Sequence, residues 1–397
     1  MSAPAVSNPP YNALHTLLDN YVSAPSRHDD LDVALATVYA VKLGLLDGRS
    51  PLWLLFVDPP SSGKTDIVGT LRPDKEHVVF LDTLTAEAFL SGAVSKQGTR
   101  AAKLLPLLNH KCLVVKDLTT LFSLKHETVK KILGDLQSIY DGEFRKGYGT
   151  GFDGSAVIEA ESYFGFLGCV TPGALAGHQK YLANIGTRFL IYQRPPLTPA
   201  DRARGYELQQ RTGRAEARAQ LQRLAGEHLA VLFNECRRAV IPPECDEVLR
   251  TCAEYVRLGR TPIYTEDGVR LRGVPEEPFR IYQQLRLAVE AVAAVRGHTV
   301  VQPDDTRVVE RIALSSIFYR RYEAVRALQS SPSKAITVAD TLEPMDLADD
   351  QARLWCNDLV KVGLFSNGDG AYRAAEPFRG LIHGPSHGPD SFSPILK

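Results

Sequence analysis

The spacing of hydrophobic and polar positions changes period along the chain. Residues 11–22 place Leu14, Leu17 and Leu18 on one side of a helical pattern. A second helical pattern runs over 29–46 and ends near the glycine of LDGRSP. Five short apolar runs then appear, at 52–57 (LWLLFV), 77–81 (HVVFL), 111–115 (KCLVV), 163–170 (YFGFLGCV) and 188–192 (RFLIY). Continuous apolar runs lying between helical or turn segments predict parallel strands buried on both faces. The expected fold is therefore α/β, built on a five-stranded parallel sheet.

Between the third and fourth runs, YDGEFRKGYGTGFDGSAVIEAES carries two Asp-Gly pairs and a Gly-x-Gly. These turn signals, with alternation near the end, predict a β-hairpin insertion. Beyond QRPPLTPADR the period becomes helical, over 221–233, 247–258, 279–295 and 304–328. LQSSPSKA reads as a linker. Two short helical patterns follow, 338–343 and 350–360, and then strand, Asn-Gly-Asp-Gly turn, strand in VGLFSNGDGAYRAA. That order predicts a winged-helix-like module. The expected organisation is a start of helices and disorder (1–46), an α/β core (47–197), a helical domain (198–330), the winged module (334–382) and a flexible tail (383–397).

Composition narrows the class. The 397 residues exceed one ordinary core. A hydrophobic share of 44% with 23% charged residues is that of a globular protein. Lys+Arg and Asp+Glu are equal at 46 each, so bulk charge draws the chain to neither nucleic acid nor membrane. Six cysteines without C-x-x-C spacing predict buried, reduced thiols in a cytoplasm. The N-terminus lacks the basic and apolar regions of a signal peptide. No apolar run approaches the ~18 residues of a membrane span.

The chemistry concentrates in Asp58-Pro-Pro-Ser-Ser-Gly-Lys-Thr65, directly after the first apolar run. It differs from the phosphate-loop pattern G-x-x-x-x-G-K-[ST] only in Asp58. In such a loop backbone N–H groups wrap phosphates, the lysine neutralises their charge and the Ser/Thr hydroxyl binds Mg²⁺. Pro60, Ser61, Ser62, Gly63, Lys64, Thr65 and Asp66 are the candidate nucleotide contacts. Asp58 can turn the chain as glycine would, although its carboxylate could also weaken phosphate binding. A second requirement is an acid at another strand end to hold the metal with Thr65, and CLVVKD supplies Asp117. Leu118 stands where many ATPases carry the glutamate that polarises water. Asp141 and Glu143 are possible substitutes, or plain turn acids.

Thr171 ends the fourth run and could position water, or simply make a turn hydrogen bond. Arg188, at the start of the fifth run, could reach a neighbouring subunit's nucleotide in a ring. Arg280, at the first turn of the long helical pattern, could cover the γ-phosphate within its own chain. Either arginine could instead serve an ordinary ion pair.

These elements, in this order, resemble the AAA+ ATPases over about 52–314. The hairpin and the stretch EPFRIYQQLRLAVEAVAAVRGHTVVQPDD resemble the MCM-like side of that superfamily. KDLTTLFS and LQSIYDGEFRKGYGTG are similar to stretches of ATPases from phages and mobile elements. The resemblance implies ATP and Mg²⁺ as ligands, a helical lid and a homo-oligomer in the form of a hexameric ring. It implies Lys64 and Thr65 on phosphate and Mg²⁺, and Asp117 as the Walker B acid. Thr171 takes the place of sensor 1, Arg188 of the arginine finger and Arg280 of sensor 2. The departures are Asp58, Leu118 and a threonine where asparagine is commoner.

DNA is an expected partner through Arg145, Lys146 and Tyr148 on the hairpin, which could track phosphates and stack on bases or remain a solvated surface. The C-terminal module has six Lys/Arg against nine Asp/Glu from Lys334 onward, which suits a protein partner better than phosphates. Two functions follow as expectations. One is a ring-forming helicase or translocase of a mobile element or phage. The other is a slowly hydrolysing ATP-dependent switch or loader that engages a protein partner.

Overall fold

All five apolar runs form strands of one parallel sheet. The computed structural model describes residues 9–21, 27–84, 104–148, 156–177, 188–194, 197–345 and 347–384. The sheet strands are β1 (Trp53–Val57), β2 (Val78–Leu81), β3 (Cys112–Val115), β6 (Gly165–Val170) and β7 (Phe189–Gln193), in the order β2-β3-β6-β1-β7. The fourth starts two residues later than its apolar run, at Gly165. Tyr163 bonds instead to the Asn109 side chain and the His110 N–H. Between β3 and β6 stands an antiparallel hairpin, β4 (Glu143–Tyr148) and β5 (Ala156–Glu161).

Alternation along β1 divides the interior. Trp53, Leu55 and Val57 face a cluster completed by the helices Leu104–Leu108, Thr119–Phe122 and His126–Tyr140. Leu54 and Phe56 face the opposite cluster, which runs without a break to the C-terminal helices. Its centre is the helix Arg27–Asp47, buried over most of its length between the sheet and the helix Phe279–Val295. Burial on both sides explains why LDVALATVYAVKLGLL is apolar all round rather than striped.

The helical region differs from its sequence reading in three places. A helix at Pro199–Gln209 precedes the first expected one and is held by a capping box between Thr198 and Asp201. A further hairpin, β8 (Ile263–Glu266) and β9 (Val269–Arg272), turns on Asp267-Gly268. The pattern over 304–328 is two helices, Pro303–Ser315 and Tyr319–Ser330. The first helix ends at Ser315, and the hydroxyls of Ser315 and Ser316 serve both the helix and the sheet. Ser315 and Ser316 Oγ both donate to the Ile191 carbonyl, and they accept from Gln193 and Ile191 N–H respectively. Farther on, the helices Ala339–Met345 and Asp349–Val362 precede the antiparallel pair β10 (Phe365–Gly368) and β11 (Ala371–Ala374).

Candidate functional site

The strand order decides which residues meet. β6 lies between β1 and β3, so the residue that follows β6 falls between the loop after β1 and the acid after β3. With strands ~4.8 Å apart, that assembles Thr171 between the phosphate loop and Asp117. A cavity of about 950 Å³ opens there, lined by Pro60 to Asp66, Lys116, Asp117 and Thr171. Its far wall is the helix Pro199–Gln209, through Asp201, Arg202 and Tyr206, with Tyr21 and Arg214 beside it. The position, beyond the carboxyl ends of parallel strands, is where open α/β sheets bind ligands.

The loop itself is built to present N–H groups. Ser61 and Gly63 take positive φ, 60° and 86°, which coils the backbone into the helix Lys64–Gly69. Among the described residues, none accepts a hydrogen bond from the backbone N–H of Ser62, Gly63, Lys64 or Thr65. Lys64 Nζ donates to the carbonyls of Asp58, at 2.7 Å, and Val170, at 3.3 Å. Its ammonium therefore sits over the ends of β1 and β6. Burial lowers its pKa from the usual lysine value, against the pull of Cys169 and Asp117. Thr65 is exposed beside it. Asp117 accepts from the Thr119 N–H at 2.8 Å, an Asx turn that fixes the carboxylate at the strand end.

Asp58 does not line this cavity. Its side chain turns beneath the loop, where Arg194 forms an ion pair with it and Arg27 lies 3.9 Å away. Asp30 balances both arginines, with Arg27 at 3.3 Å and Arg194 at 3.0 Å. All four side chains are buried.

Leu118 points away from the cavity as well. Its N–H donates to the Cys169 carbonyl, and its side chain fills the space above Gly168. A Cβ on Gly168 would stand 2.2 Å from Leu118 Cδ1, so this glycine and this leucine fit only together. The acids that line the cavity are Asp66, Asp82, Asp117 and Asp201. Asp66 pairs with Arg218, Asp82 with Arg72 and Lys116, and Asp201 caps its helix through Thr198, which holds its carboxyl below the usual range.

The remaining candidates lie at the other end of the sheet. Arg188 immediately precedes β7, buried, and donates to Asp141 at 2.8 Å. Arg280 pairs with Glu276 at 3.0 Å and stands 6.0 Å from the Tyr140 ring centre, which Arg188 approaches to 5.8 Å. Tyr140 in turn donates to the Pro51 carbonyl, just ahead of β1. Neither arginine lines the cavity, so an in-chain role for Arg280 over the γ-phosphate does not fit this geometry. Glu143 opens β4 opposite Glu161, shortly before β6 begins, so Asp141 and Glu143 both belong to the strand-start end. The backbone of β4 carries Glu143, Arg145, Lys146 and Tyr148 in an antiparallel ladder, and their side chains lie outside the described part.

Sequence reasoning missed Arg27, Asp30 and Arg194 beneath the loop, and the wall at 199–209. The wall had a signal in Thr198-Pro-Ala-Asp201, a capping-box pattern. The buried ion pairs join residues far apart along the chain and carry no local signature. The chain matches no known family model and no curated protein sequence.

Proposed function

We propose that the chain is a Mg-ATP-binding P-loop ATPase of the AAA+ type that assembles as a ring, hexameric by resemblance, and works on DNA as a helicase or translocase of a mobile element or phage. One observation carries the reading. A single cavity unites unpaired loop N–H groups, Lys64, Thr65, Asp117 and Thr171, with the strand bearing Thr171 set between the other two. Lys64 and the loop N–H groups would hold the phosphates. Thr65 and Asp117 would hold Mg²⁺, which offsets charge developing on the transferred phosphoryl group. Thr171 would orient the attacking water. The helical domain over 198–330 serves as the lid and 334–382 as the winged module. Arg188 and Arg280, both at the strand-start end, suit a neighbouring subunit's nucleotide rather than their own. Arg145, Lys146 and Tyr148 on the hairpin are the proposed DNA contacts.

A second reading is a slowly hydrolysing switch or loader that engages a protein through its acidic C-terminal module. Leu118 favours it, because the place of the water-polarising acid is taken up by core packing and Asp141 is turned to Arg188. The two readings separate on ATP turnover with and without single-stranded DNA, with Lys64→Ala as control. DNA-stimulated turnover that vanishes in the variant supports the motor. Tight Mg-ATP binding with negligible turnover sinks it. Native mass with ATP tests the ring, since a persistent monomer is incompatible with it.

A further inference from the structure

The charged residues beneath the loop do more than neutralise Asp58. Arg27 and Arg194 both donate to the same acceptor, the carbonyl of Ser62, Arg194 at 3.2 Å. Arg27 enters from the start of the helix Arg27–Asp47, and Arg194 from the residue that directly follows β7. In a planar trans peptide the carbonyl and the next N–H point in opposite directions. Holding the Ser62 carbonyl down toward the arginines therefore turns the Gly63 N–H up toward the cavity. Gly63, with φ of 86°, is the residue that accepts this turn without strain.

We infer that Asp58, Arg194, Arg27 and Asp30 form a brace that sets the Ser62–Gly63 peptide for phosphate binding, with Arg194 and Arg27 as positioning residues. Asp58 in the place of a glycine is part of this device. Its carboxylate and the Ser62 carbonyl both meet Arg194 Nη2, while Nη1 reaches Asp30, so the guanidinium is fixed from both arms. Asp30 holds both arginines from the other side and accepts from Tyr192 Oη at 2.8 Å, which ties the group to β7. Two arginines face two carboxyl groups, although burial pushes Asp30 up to about 7 against the pull of Arg27, and losing Arg194 leaves the Asp58 carboxylate uncompensated under the phosphates.

The inference rests on the phosphate-binding reading, and calorimetric titration with Mg-ATP separates the two. The full chain is compared with Lys64→Ala, Arg194→Lys, Arg194→Met and the double variant Asp58→Gly/Arg194→Met. Arg194→Lys keeps the charge for Asp58 and Asp30 but lacks the planar fork that also reaches Ser62. It is expected to fold and to bind Mg-ATP about tenfold more weakly. Arg194→Met should weaken binding further, and removing the stranded carboxylate in the double variant should recover at least half of that further loss on a logarithmic scale. An arginine that only neutralised Asp58 would be replaced by lysine without loss of affinity. Wild-type affinity in Arg194→Lys, or no recovery in the double variant relative to Arg194→Met, overturns the brace while leaving phosphate binding intact. Should Arg194→Met fail to fold, Arg194→Lys alone decides the matter. If the wild-type chain binds no Mg-ATP, or binds it as Lys64→Ala does, both readings fall.

Discussion

The two ends of the parallel sheet hold similar side chains and use them in opposite ways. At the strand-start end Arg188 and Arg280 are matched to Asp141 and Glu276 and gather around one tyrosine ring. At the strand-finish end the charges are matched too, but one layer down. Arg27, Asp30, Asp58 and Arg194 balance one another beneath the loop, and the backbone above them keeps its N–H groups unspent. The difference teaches that a binding site is recognised less by its charges than by donors that the fold positions and leaves unmatched.

Substitutions at the two ends should therefore fail differently. The largest effect is expected from Lys64→Ala, which should weaken Mg-ATP binding by about 3 kcal/mol, on the order of 100-fold, with an unchanged circular-dichroism spectrum. Equal affinity in the variant would remove the strand-finish end from consideration as the site. Leu118→Glu comes next. It should cost about 2 kcal/mol or more in urea unfolding and leave ATP turnover no faster, because the position faces Gly168 in the core. A tenfold gain in turnover would show that this side chain reaches the cavity after all.

Arg188→Met should act on the fold and not on binding. A stability loss of about 1.5 kcal/mol is expected by chemical denaturation, moderate because Asp141 is half exposed, with Mg-ATP affinity of the single subunit unchanged. If affinity instead falls as far as in Lys64→Ala, the two ends are not separate. The smallest effect is expected from Thr171→Val, about tenfold in single-turnover hydrolysis, near 1.4 kcal/mol, at constant affinity. Unchanged hydrolysis would reduce Thr171 to a turn residue whose hydroxyl accepts from the Ala174 N–H.

Much of this was readable in advance, for reasons visible in particular residues. Strands buried on both faces write themselves as uninterrupted apolar runs, and LWLLFV, CLVV and RFLIY are such runs. The turn from β1 into the helix Lys64–Gly69 was readable because the phosphate-loop pattern sets Gly63, Lys64 and Thr65 in one short stretch. The orientation of Asp58 was not readable, since it depends on Arg27 and Arg194, brought from opposite sides in sequence by folding alone. Leu118 was readable as a missing acid but not as the partner of Gly168. The hairpin at 263–272 was missed: Asp267-Gly268 is a turn signal, but the strands IYTE and VRLR are mostly exposed and too mixed to stand out by apolarity. The break between Ser315 and Tyr319 was not readable, since the bonds of those serine hydroxyls to the backbone of β7 join residues far apart along the chain.

That last contact bears on how copies of the chain can meet. β7 is an outer strand of the sheet, and an outer strand with free backbone groups invites a strand from a neighbour. Two hydroxyls already occupy the Ile191 carbonyl and the N–H groups of Ile191 and Gln193. This margin is closed to β-augmentation, so sheets of adjacent copies cannot fuse along it into a continuous ribbon. Any assembly on this flank must proceed through side chains, which permits contacts that loosen and re-form where a shared ladder would lock.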